Sequence, residues 1–332
     1  VVVAIAAFLS GALCDAISPR RVMFIGLVSF LIFDALFILV GIPSGNLALL
    51  IVVYGLRGFG YPMLAYGFLT WMMITPPERQ SSASGWFWFA FSLGMQIIGS
   101  YLSSLLLPSV GAIATLWFGF GLAATGGALL FWFLRKHESA SRTAGITAGQ
   151  SLASAVSIGW RKRKVGIGGI VKIINLSGQY GLQAFYIVYL HTVHDMSLAQ
   201  AILTFTIFGV VAVIGDVVWG VVGDRLGWRN TLLWFATPIS AISLVYLYVI
   251  PNVVGPNFWL IALGMAGIGI GLSAHVPTTP LIVAFSQGET GNALAVLNFG
   301  AGLGAFVGPA IVALLVGPFG YGAVAYALAG LY

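Results

Sequence analysis

Nine apolar runs, each about as long as a membrane-spanning helix, constrain this chain more than any other feature of its sequence. A helix needs about 20 apolar residues to cross a bilayer. The runs lie at residues 22–42, 46–74, 81–107, 111–134, 165–190, 197–222, 231–250, 256–285 and 290–316. Shorter apolar stretches, 1–13 and 320–332, stand at the two ends. We interpret the chain as eleven membrane helices, the first and last incomplete, without a signal peptide.

The composition indicates that the surface of this protein faces lipid. Charged residues make up 7% of the chain and hydrophobic residues 60%, whereas soluble domains carry about 25% charged residues. So few charges cannot cover a surface that faces water. The single cysteine, Cys14, excludes a disulfide framework and a cysteine metal site. We therefore expect an integral membrane protein that is not an enzyme and that has neither a cofactor nor a metal.

The basic residues lie almost entirely in alternate loops. Membrane proteins concentrate Lys and Arg in their cytoplasmic loops, so we predict that these loops are cytoplasmic and that the membrane is a bacterial inner membrane. The pattern also accounts for the net charge of +6 without a nucleic-acid partner. Twelve of the 14 basic residues follow it, namely Arg20, Arg21, Arg79, Arg135, Lys136, Arg142, Arg161, Lys162, Arg163, Lys164, Arg225 and Arg229.

The longest polar stretch divides the chain into two halves. Residues 135–164 are rich in Ser, Ala, Gly and basic residues, which indicates a cytoplasmic linker that is partly helical. It separates an N-terminal bundle, 1–134, from a C-terminal bundle, 165–332. Five apolar segments precede the linker and six follow it, so equal halves imply that the first helix of the first half is absent.

A polar turn occurs once in each half. The second copy reads Gly-Val-Val-Gly-Asp-Arg-Leu-Gly-Trp-Arg from Gly220 to Arg229, and the first reads Gly-Ala-Leu-Cys-Asp-Ala-Ile-Ser-Pro-Arg from Gly11 to Arg20. The first glycine, the aspartate and the last arginine each lie 209 residues from their counterparts. A turn repeated at this distance predicts two similar halves.

These turns resemble the loop signature of the major facilitator superfamily, Gly-x-x-x-Asp-basic-x-Gly-x-basic, found between helices 2 and 3 and between helices 8 and 9. The first copy departs from it at Ala16 and Ser18. The resemblance implies an all-α fold of two pseudo-symmetric six-helix bundles, with the first helix missing here and the last one clipped. It also implies that the turns form a cytoplasmic gate, in which aspartates and arginines pair across helix ends in one transport state.

Two acidic residues are expected to take part in this gate. Glu78 and Glu289 lie in the matching cytoplasmic loops after helices 4 and 10, and we expect them to pair with the arginines of the turns. The predicted gate residues are Gly11, Asp15, Arg20, Gly220, Asp224, Arg225, Gly227, Arg229, Glu78 and Glu289.

Three short runs are similar to permeases for sugar alcohols such as ribitol and arabinitol. They lie at residues 181–190, 274–280 and 297–304. The proline-bearing helix-5 signature of drug/proton antiporters is missing from 81–107. Within the superfamily, the resemblance therefore favours a polyol carrier over an antiporter.

Ionisable side chains at membrane depth are costly and usually face a cavity or a partner. Asp34 and Arg57 lie at similar depth on either side of the turn at 43–45, and we expect them to form a pair that either couples protons or stabilises the hairpin. Asp216 either titrates or pairs with Lys172. His275, beside a proline-rich break, either titrates or joins helices by a hydrogen bond.

Polar side chains follow one face of the helix predicted at 165–190. Because their spacing is three and four residues, they share a face, and this face cannot be exposed to lipid. It either lines a cavity or bridges helices, and amides and a phenol suit a neutral polyhydroxylated ligand. The predicted substrate-binding residues are Asn175, Gln179, Gln183 and Tyr186 on this face, with Gln96, Trp88, Ser92, Asn298 and Trp219 elsewhere. Lys172 shares the face and is predicted as a buried charge.

The sequence thus predicts a monomeric secondary transporter that moves a small neutral polyol or sugar, together with a proton, by alternating access. A uniporter that uses the same cavity is compatible with the same observations. Arg57 and Lys172 keep an organic acid open as the substrate. A non-transporting, receptor-like membrane protein of the same fold is the alternative from a different functional class.

Overall fold

The computed structural model describes residues 2–73, 79–135 and 147–332, without the side chains of Gln96 and Ser100. Glu78 lies outside the described residues, as do Lys136 and Arg142 of the predicted linker. The regular structure of the described residues is entirely helical. The prediction of an all-α fold is therefore confirmed.

The helices follow the predicted apolar runs closely. Short π-helical segments at Phe37–Gly41, Leu93–Ile98 and Leu232–Ala236 join some of them. The α-helices are α1 Val2–Ile17, α2 Pro19–Leu36, α3 Ile42–Ser44, α4 Leu47–Met72, α5 Gln80–Ser92, α6 Gly99–Leu134, α7 Ala148–Arg161, α8 Arg163–His194, α9 Leu198–Leu226, α10 Trp228–Thr231, α11 Thr237–Val254, α12 Phe258–Ser273, α13 Thr278–Ser286 and α14 Thr290–Leu331.

Within the described residues, seven helical segments are long and apolar enough to cross a bilayer. They include α6 and α14, each of which is broken by a glycine with non-helical backbone, Gly111 and Gly320. Helix α6 therefore contains the end of the run 81–107 and the whole of the run 111–134, and α14 contains the run 290–316 and most of the terminal stretch 320–332. Helix α8 is not among the seven, because basic and amide side chains interrupt its apolar surface.

The turns reveal an internal repeat more clearly than the sequence does. Gly45 and Gly255, 210 residues apart, both have positive φ, and so do Gly111 and Gly320, 209 residues apart. The residues that follow the first pair also match, because Asn46 caps α4 and Asn257 caps α12 in the same way, each accepting two backbone N–H bonds.

Two compact units divide the chain. One comprises Val1–Thr75, Gly94–Gly166 and Phe285–Phe299, and the other comprises Pro76–Leu93, Ile167–Ala284 and Gly300–Tyr332. Both units take segments from each half of the sequence. The predicted bundle boundaries, 1–134 and 165–332, stay a prediction.

In the first unit, α4 packs against α1 and α2, and α7 packs against α1. In the second unit, α9 packs against α5 and α12. The core of the second unit is rich in aromatic side chains from α8, including Phe185, Tyr186 and Tyr189. The ammonium group of Lys172 on α8 faces the ring of Trp88 on α5 and interacts electrostatically with Asp216 on α9. The candidate site lies around these three residues.

Candidate functional site

Along the polar face of α8, the side chains are buried at Lys172 and Asn175 and become more exposed toward Gln183. The relative exposure is 8% for Lys172 and 3% for Asn175, whereas Gln179 is half-buried and Gln183 is exposed. The side-chain oxygen Oδ1 of Asn175 is buried and has no hydrogen-bond partner among the described residues. The buried end of this face therefore contains one polar atom, Oδ1 of Asn175, that the described part of the chain leaves unsatisfied.

Tyr186 lies on the same predicted face but has a different environment. Its hydroxyl donates to the backbone oxygen of Leu247 on α11, at 2.9 Å. The side chain is fully buried. In this structure Tyr186 joins α8 to α11, as the bridging interpretation of the polar face expects, and its hydroxyl is not presented to a solute.

Lys172 and Asp216 form the charged centre of the second unit. The ammonium nitrogen of Lys172 lies 4.7 Å from the ring centroid of Trp88 on α5. The carboxylate of Asp216, which is 7% exposed, accepts a hydrogen bond from Ser92 on α5 at 3.3 Å. No ion pair joins Lys172 to a carboxylate among the described residues, although Lys172 and Asp216 interact electrostatically.

Two further predicted residues of this unit have partners of their own. His275 is buried, and its Nδ1 lies 2.9 Å from the backbone oxygen of Gly271. A carbonyl oxygen can only accept, so Nδ1 is the donor. Trp219 packs its ring against Phe235, with the centroids 5.2 Å apart. Both contacts are structural, and the titration of His275 stays a prediction.

The predicted pair of Asp34 and Arg57 is present in the first unit. Nε of Arg57 donates to the carboxylate of Asp34, which is buried. The guanidinium group also lies over the rings of Phe30, Phe37 and Tyr54. The arrangement satisfies both charges, and whether the pair also couples protons stays a prediction.

In the first unit, the predicted substrate-binding residue Asn298 has only part of its hydrogen-bonding capacity satisfied. Asn298 is buried, and its side-chain nitrogen has no partner among the described residues. Gln96 cannot be compared with it, because its side chain lies outside the description.

The two repeated aspartates cap the N-termini of other helices. Asp224 accepts the backbone N–H groups of Ser81 at 3.1 Å and Ser82 at 2.8 Å, where α5 begins. Asp15 accepts those of Gly291 and Asn292 at 3.0 Å, where α14 begins. A carboxylate at this place satisfies N–H groups without helical partners and interacts favourably with the helix dipole.

The glycine of each turn allows this contact. A Cβ added to Gly11 would lie 2.4 Å from the backbone nitrogen of Ala295, and one added to Gly220 would lie 2.9 Å from the backbone oxygen of Ser81. Each glycine therefore lets the helix of its turn approach the helix that the aspartate caps.

Comparison with known proteins is consistent with this repeated arrangement. The chain matches the sequence model of the Major Facilitator Superfamily over residues 1–284 and again over 169–332. The chain belongs to the major facilitator superfamily. It is 35% identical to the "Alpha-ketoglutarate permease" of Bacillus subtilis (strain 168), covering 100% of this chain and 76% of that protein. It is 30% identical to the "Ribitol transporter" of Klebsiella pneumoniae, covering 99% and 78%.

A solved transporter shares the fold of this superfamily member. The crystal structure of the E. coli fucose:proton symporter covers 99% of this chain and 87% of its own, with a TM-score of 0.79 and 14% identity. This likeness concerns the fold. Together with the family match, it establishes a multi-pass membrane transporter of small solutes and excludes an enzyme.

The acidic and basic partners of the gate differ from those that the superfamily resemblance implies. Glu289 does not pair with the arginines of the turns; it binds Arg161 at 2.9 Å and Lys162 at 2.7 Å, and it accepts a hydrogen bond from Ser154 at 2.8 Å. The reason is that the linker forms α7, whose C-terminal end lies beside Glu289. Among the described residues, Arg20, Arg225 and Arg229 form no ion pair.

These partners control the ionisation of Glu289. Burial acts to raise its pKa, but the hydrogen bonds from Arg161, Lys162 and Ser154 outweigh burial and lower the pKa to about 2. Glu289 is therefore charged at every physiological pH. The sequence predicted a partly helical linker, in which the capping box of Thr147 and Gln150 begins α7, but it did not indicate the contact with Glu289.

Proposed function

We propose that this protein is a secondary transporter that moves a small polyhydroxylated solute, a polyol or a sugar, together with a proton. It works as a monomer in the bacterial cytoplasmic membrane, with the linker in the cytoplasm. Two repeated halves alternate access to a site that includes the polar face of α8.

One observation carries this proposal: the buried end of the α8 face has a polar atom, Oδ1 of Asn175, that no described residue satisfies. Asn175 offers a carbonyl oxygen without a donor among the described residues, and Gln179 extends the face one turn further. A buried acceptor without a partner is costly. A solute hydroxyl, which both donates and accepts, satisfies it.

The relatives support a hydroxylated solute. One is named a ribitol transporter, and a structure with the same fold is titled a fucose:proton symporter. Ribitol and fucose both carry several hydroxyl groups and no charge. The proposal extends their solute class to this chain.

Asp216 is the proposed proton acceptor. It is buried in the second unit, and its hydrogen bond with Ser92 is long, at 3.3 Å. A carboxylate with so few donors gains little from being charged at this depth. We therefore assign the coupled proton to Asp216.

A panel of solutes tests the transport function. The protein is reconstituted in proteoliposomes with an internal pH dye, and pentitols, hexitols, sugars and carboxylates are added outside. Acidification with a neutral polyol or sugar is the expected result. Solute binding without transport would contradict the proposal and indicate a receptor-like role.

Two sets of variants test the site and the proton acceptor separately. Replacing Asn175 and Gln179 by leucine is expected to raise the solute KM at least tenfold, whereas Asn230→Leu, at an exposed amide outside the site, is expected to leave it unchanged. Asp216→Asn is expected to abolish solute-driven acidification and to spare solute exchange. Unchanged acidification would exclude Asp216 as the proton acceptor.

A solute with a carboxylate is the second candidate, because Lys172 lacks an ion-pair partner among the described residues. A relative named an alpha-ketoglutarate permease supports it. In the panel, acidification with carboxylates alone would favour this candidate.

A further inference from the structure

We propose that Lys172, Asn175 and Trp88 form a subsite for a polyhydroxylated monocarboxylate, that is, a sugar acid of five or six carbons. The proposal rests on the transport function above and adds a carboxylate to its polyhydroxylated solute. It combines the two candidates, since one solute carries both the hydroxyl groups and the carboxylate.

The first step is the state of Lys172. The side chain is more than nine-tenths buried, and its ammonium group faces the ring of Trp88 at 4.7 Å. A ring face attracts a cation but does not neutralise it, and a buried charge needs a counter-charge. The described carboxylate that interacts with it electrostatically, Asp216, lies beyond ion-pair distance and is bonded to Ser92. Among the described residues, Lys172 thus lacks a counter-charge within ion-pair distance, and a solute carboxylate would supply one.

The second step is the charge of the loaded site. Lys172 and an ionised Asp216 together carry no net charge. If Asp216 takes up the coupled proton, Lys172 is left without a counter-charge. One solute carboxylate restores neutrality, whereas a neutral polyol leaves one positive charge and a dicarboxylate leaves one negative charge. A monocarboxylate is therefore the solute class that keeps both the empty and the loaded site neutral.

The third step is the orphaned acceptor next to Lys172. Oδ1 of Asn175 is buried without a donor among the described residues. A keto acid with its carboxylates ionised has only acceptors to offer, so it cannot satisfy this oxygen. A hydroxyl group can donate to it. The solute therefore carries hydroxyl groups beside its carboxylate.

The fourth step is length. Lys172 and Gln179 are seven residues apart on α8, a rise of about 10 Å. An extended chain of five or six carbons with a hydrogen bond at each end covers a comparable distance. Both ends of such a solute can then be bound by the same helix face.

Matched solute pairs test this proposal. Uptake of ribonate is compared with ribitol, and uptake of gluconate with glucitol, since the members of each pair differ only at the carboxylate. The protein is expected to take up the acid with a KM at least tenfold lower than that of the matching polyol. Lys172→Met is expected to bring this ratio to about one, and Lys172→Arg to restore part of it. Lys164→Met, a basic residue outside the site, serves as the control.

The membrane potential provides a second measurement. A proton moving with a monocarboxylate transfers no net charge, so uptake of the acid is expected not to depend on an imposed potassium diffusion potential. Uptake of polyols in preference to acids, unchanged by Lys172→Met, would overturn this inference and leave the transport function intact. Failure to transport any solute of the wider panel would overturn the transport function as well.

Discussion

At the scale of single residues, Ser18 has a backbone conformation that serine adopts only at a cost. Its φ and ψ are 86° and 146°, and those of Gly227, its counterpart 209 residues later, are 89° and 136°. Glycine reaches this region freely, whereas other residues pay about 1–3 kcal/mol. The first turn therefore keeps the shape of the second in spite of its serine.

We predict that Ser18→Gly stabilises the protein and that Gly227→Ser destabilises it, by about 1 kcal/mol each, because the backbone strain is removed in one case and introduced in the other. The space around Gly227 does not oppose a side chain, since the nearest atom to an added Cβ lies 3.8 Å away. Thermal unfolding in detergent measures both changes. Ser104→Gly, on the exposed side of α6, is the control and should destabilise the protein. If Ser18→Gly destabilises it by the same amount, the backbone of Ser18 is not strained.

The sequence predicted this turn but not its contacts. Its glycine, aspartate and arginine spacing located both copies correctly. Both Asp15 and Asp224 accept backbone N–H groups, of α14 and α5 respectively, which every residue except proline possesses. Such partners carry no sequence signal, and the arginines therefore seemed the natural choice.

At the scale of helices, each unit contains one helix whose N-terminus is capped from a distant turn. Asp224 accepts four hydrogen bonds, from the backbone of Ser81 and Ser82, the hydroxyl of Ser82 and the ring nitrogen of Trp228. Asp15 accepts two. Capping side chains contribute about 0.5–2 kcal/mol each.

We therefore predict that Asp224→Ala lowers the free energy of unfolding by about 2 kcal/mol and Asp15→Ala by about 1 kcal/mol. The corresponding Asn variants should lose less than the Ala variants, because an amide keeps one acceptor oxygen. The two positions share no partner, so their effects in the double variant should add within about 0.5 kcal/mol. Chemical unfolding in detergent measures the two alanine variants, the two asparagine variants and the double variant. A larger or smaller sum would mean that the two caps are coupled.

The linker helix α7 is attached to the rest of its unit by long-range contacts. Ser151 donates to the backbone oxygen of Ala12 at 2.6 Å, and Arg161 and Lys162 bind Glu289. The sequence predicted that part of the linker is helical. It could not predict these partners, because Arg161 and Glu289 are 128 residues apart and only the packing of α1 and α7 brings them together.

We predict that Glu289→Gln loosens α7. Hydrogen exchange of residues 148–161 at pH 7 should become two- to five-fold faster, as expected from the loss of about 0.5–1 kcal/mol in partly exposed ion pairs. Arg163→Gln is the control, since Arg163 forms no ion pair among the described residues. Unchanged hydrogen exchange in Glu289→Gln would show that the apolar contacts of α7 are sufficient to hold this helix in place without the ion pairs.

The same contact predicts a pH dependence. The pKa of Glu289 is lowered from 4.5 to about 2, so the folded state favours its ionised form. This contribution is complete above pH 4.5 and disappears as the pH falls through about 2. Between pH 5 and 8, the carboxylate of Glu289 should therefore cause no change in the hydrogen exchange of α7 in the unmodified protein. The measured rates are first corrected for the pH dependence of intrinsic exchange.

At the scale of the whole molecule, the repeat relates the turns on both sides of the membrane. The turns without basic residues repeat Gly45 at Gly255 and Gly111 at Gly320, all with positive φ. The basic turns repeat Ser18 at Gly227. The apolar runs predicted the long helices and their order, whereas α7 lies in the polar linker and was predicted only as part of a partly helical stretch. They could not locate the solute, because that depends on which polar faces meet.

The alternating charges also predict an orientation, and one helical span can test it. The segment from Trp228 to Val254 is a candidate membrane span, with Asn230 near its basic end and Val253 near the other. Both side chains are exposed. Since Lys and Arg mark cytoplasmic loops, Val253 should face outward and Asn230 inward.

Single cysteines are introduced at these positions in a Cys14→Ala background and are treated with a maleimide that cannot cross membranes. We predict which of them the maleimide labels. Val253→Cys should react in intact cells, and Asn230→Cys only after the cells are made permeable. Arg21→Cys and Ser44→Cys, at opposite ends of the span Pro19–Ser44, repeat the test in the other half. Because the halves are related by the repeat, both spans must give the same answer. Labelling of Asn230→Cys and Arg21→Cys in intact cells would reverse the orientation and place α7 with its ion pairs outside the cell.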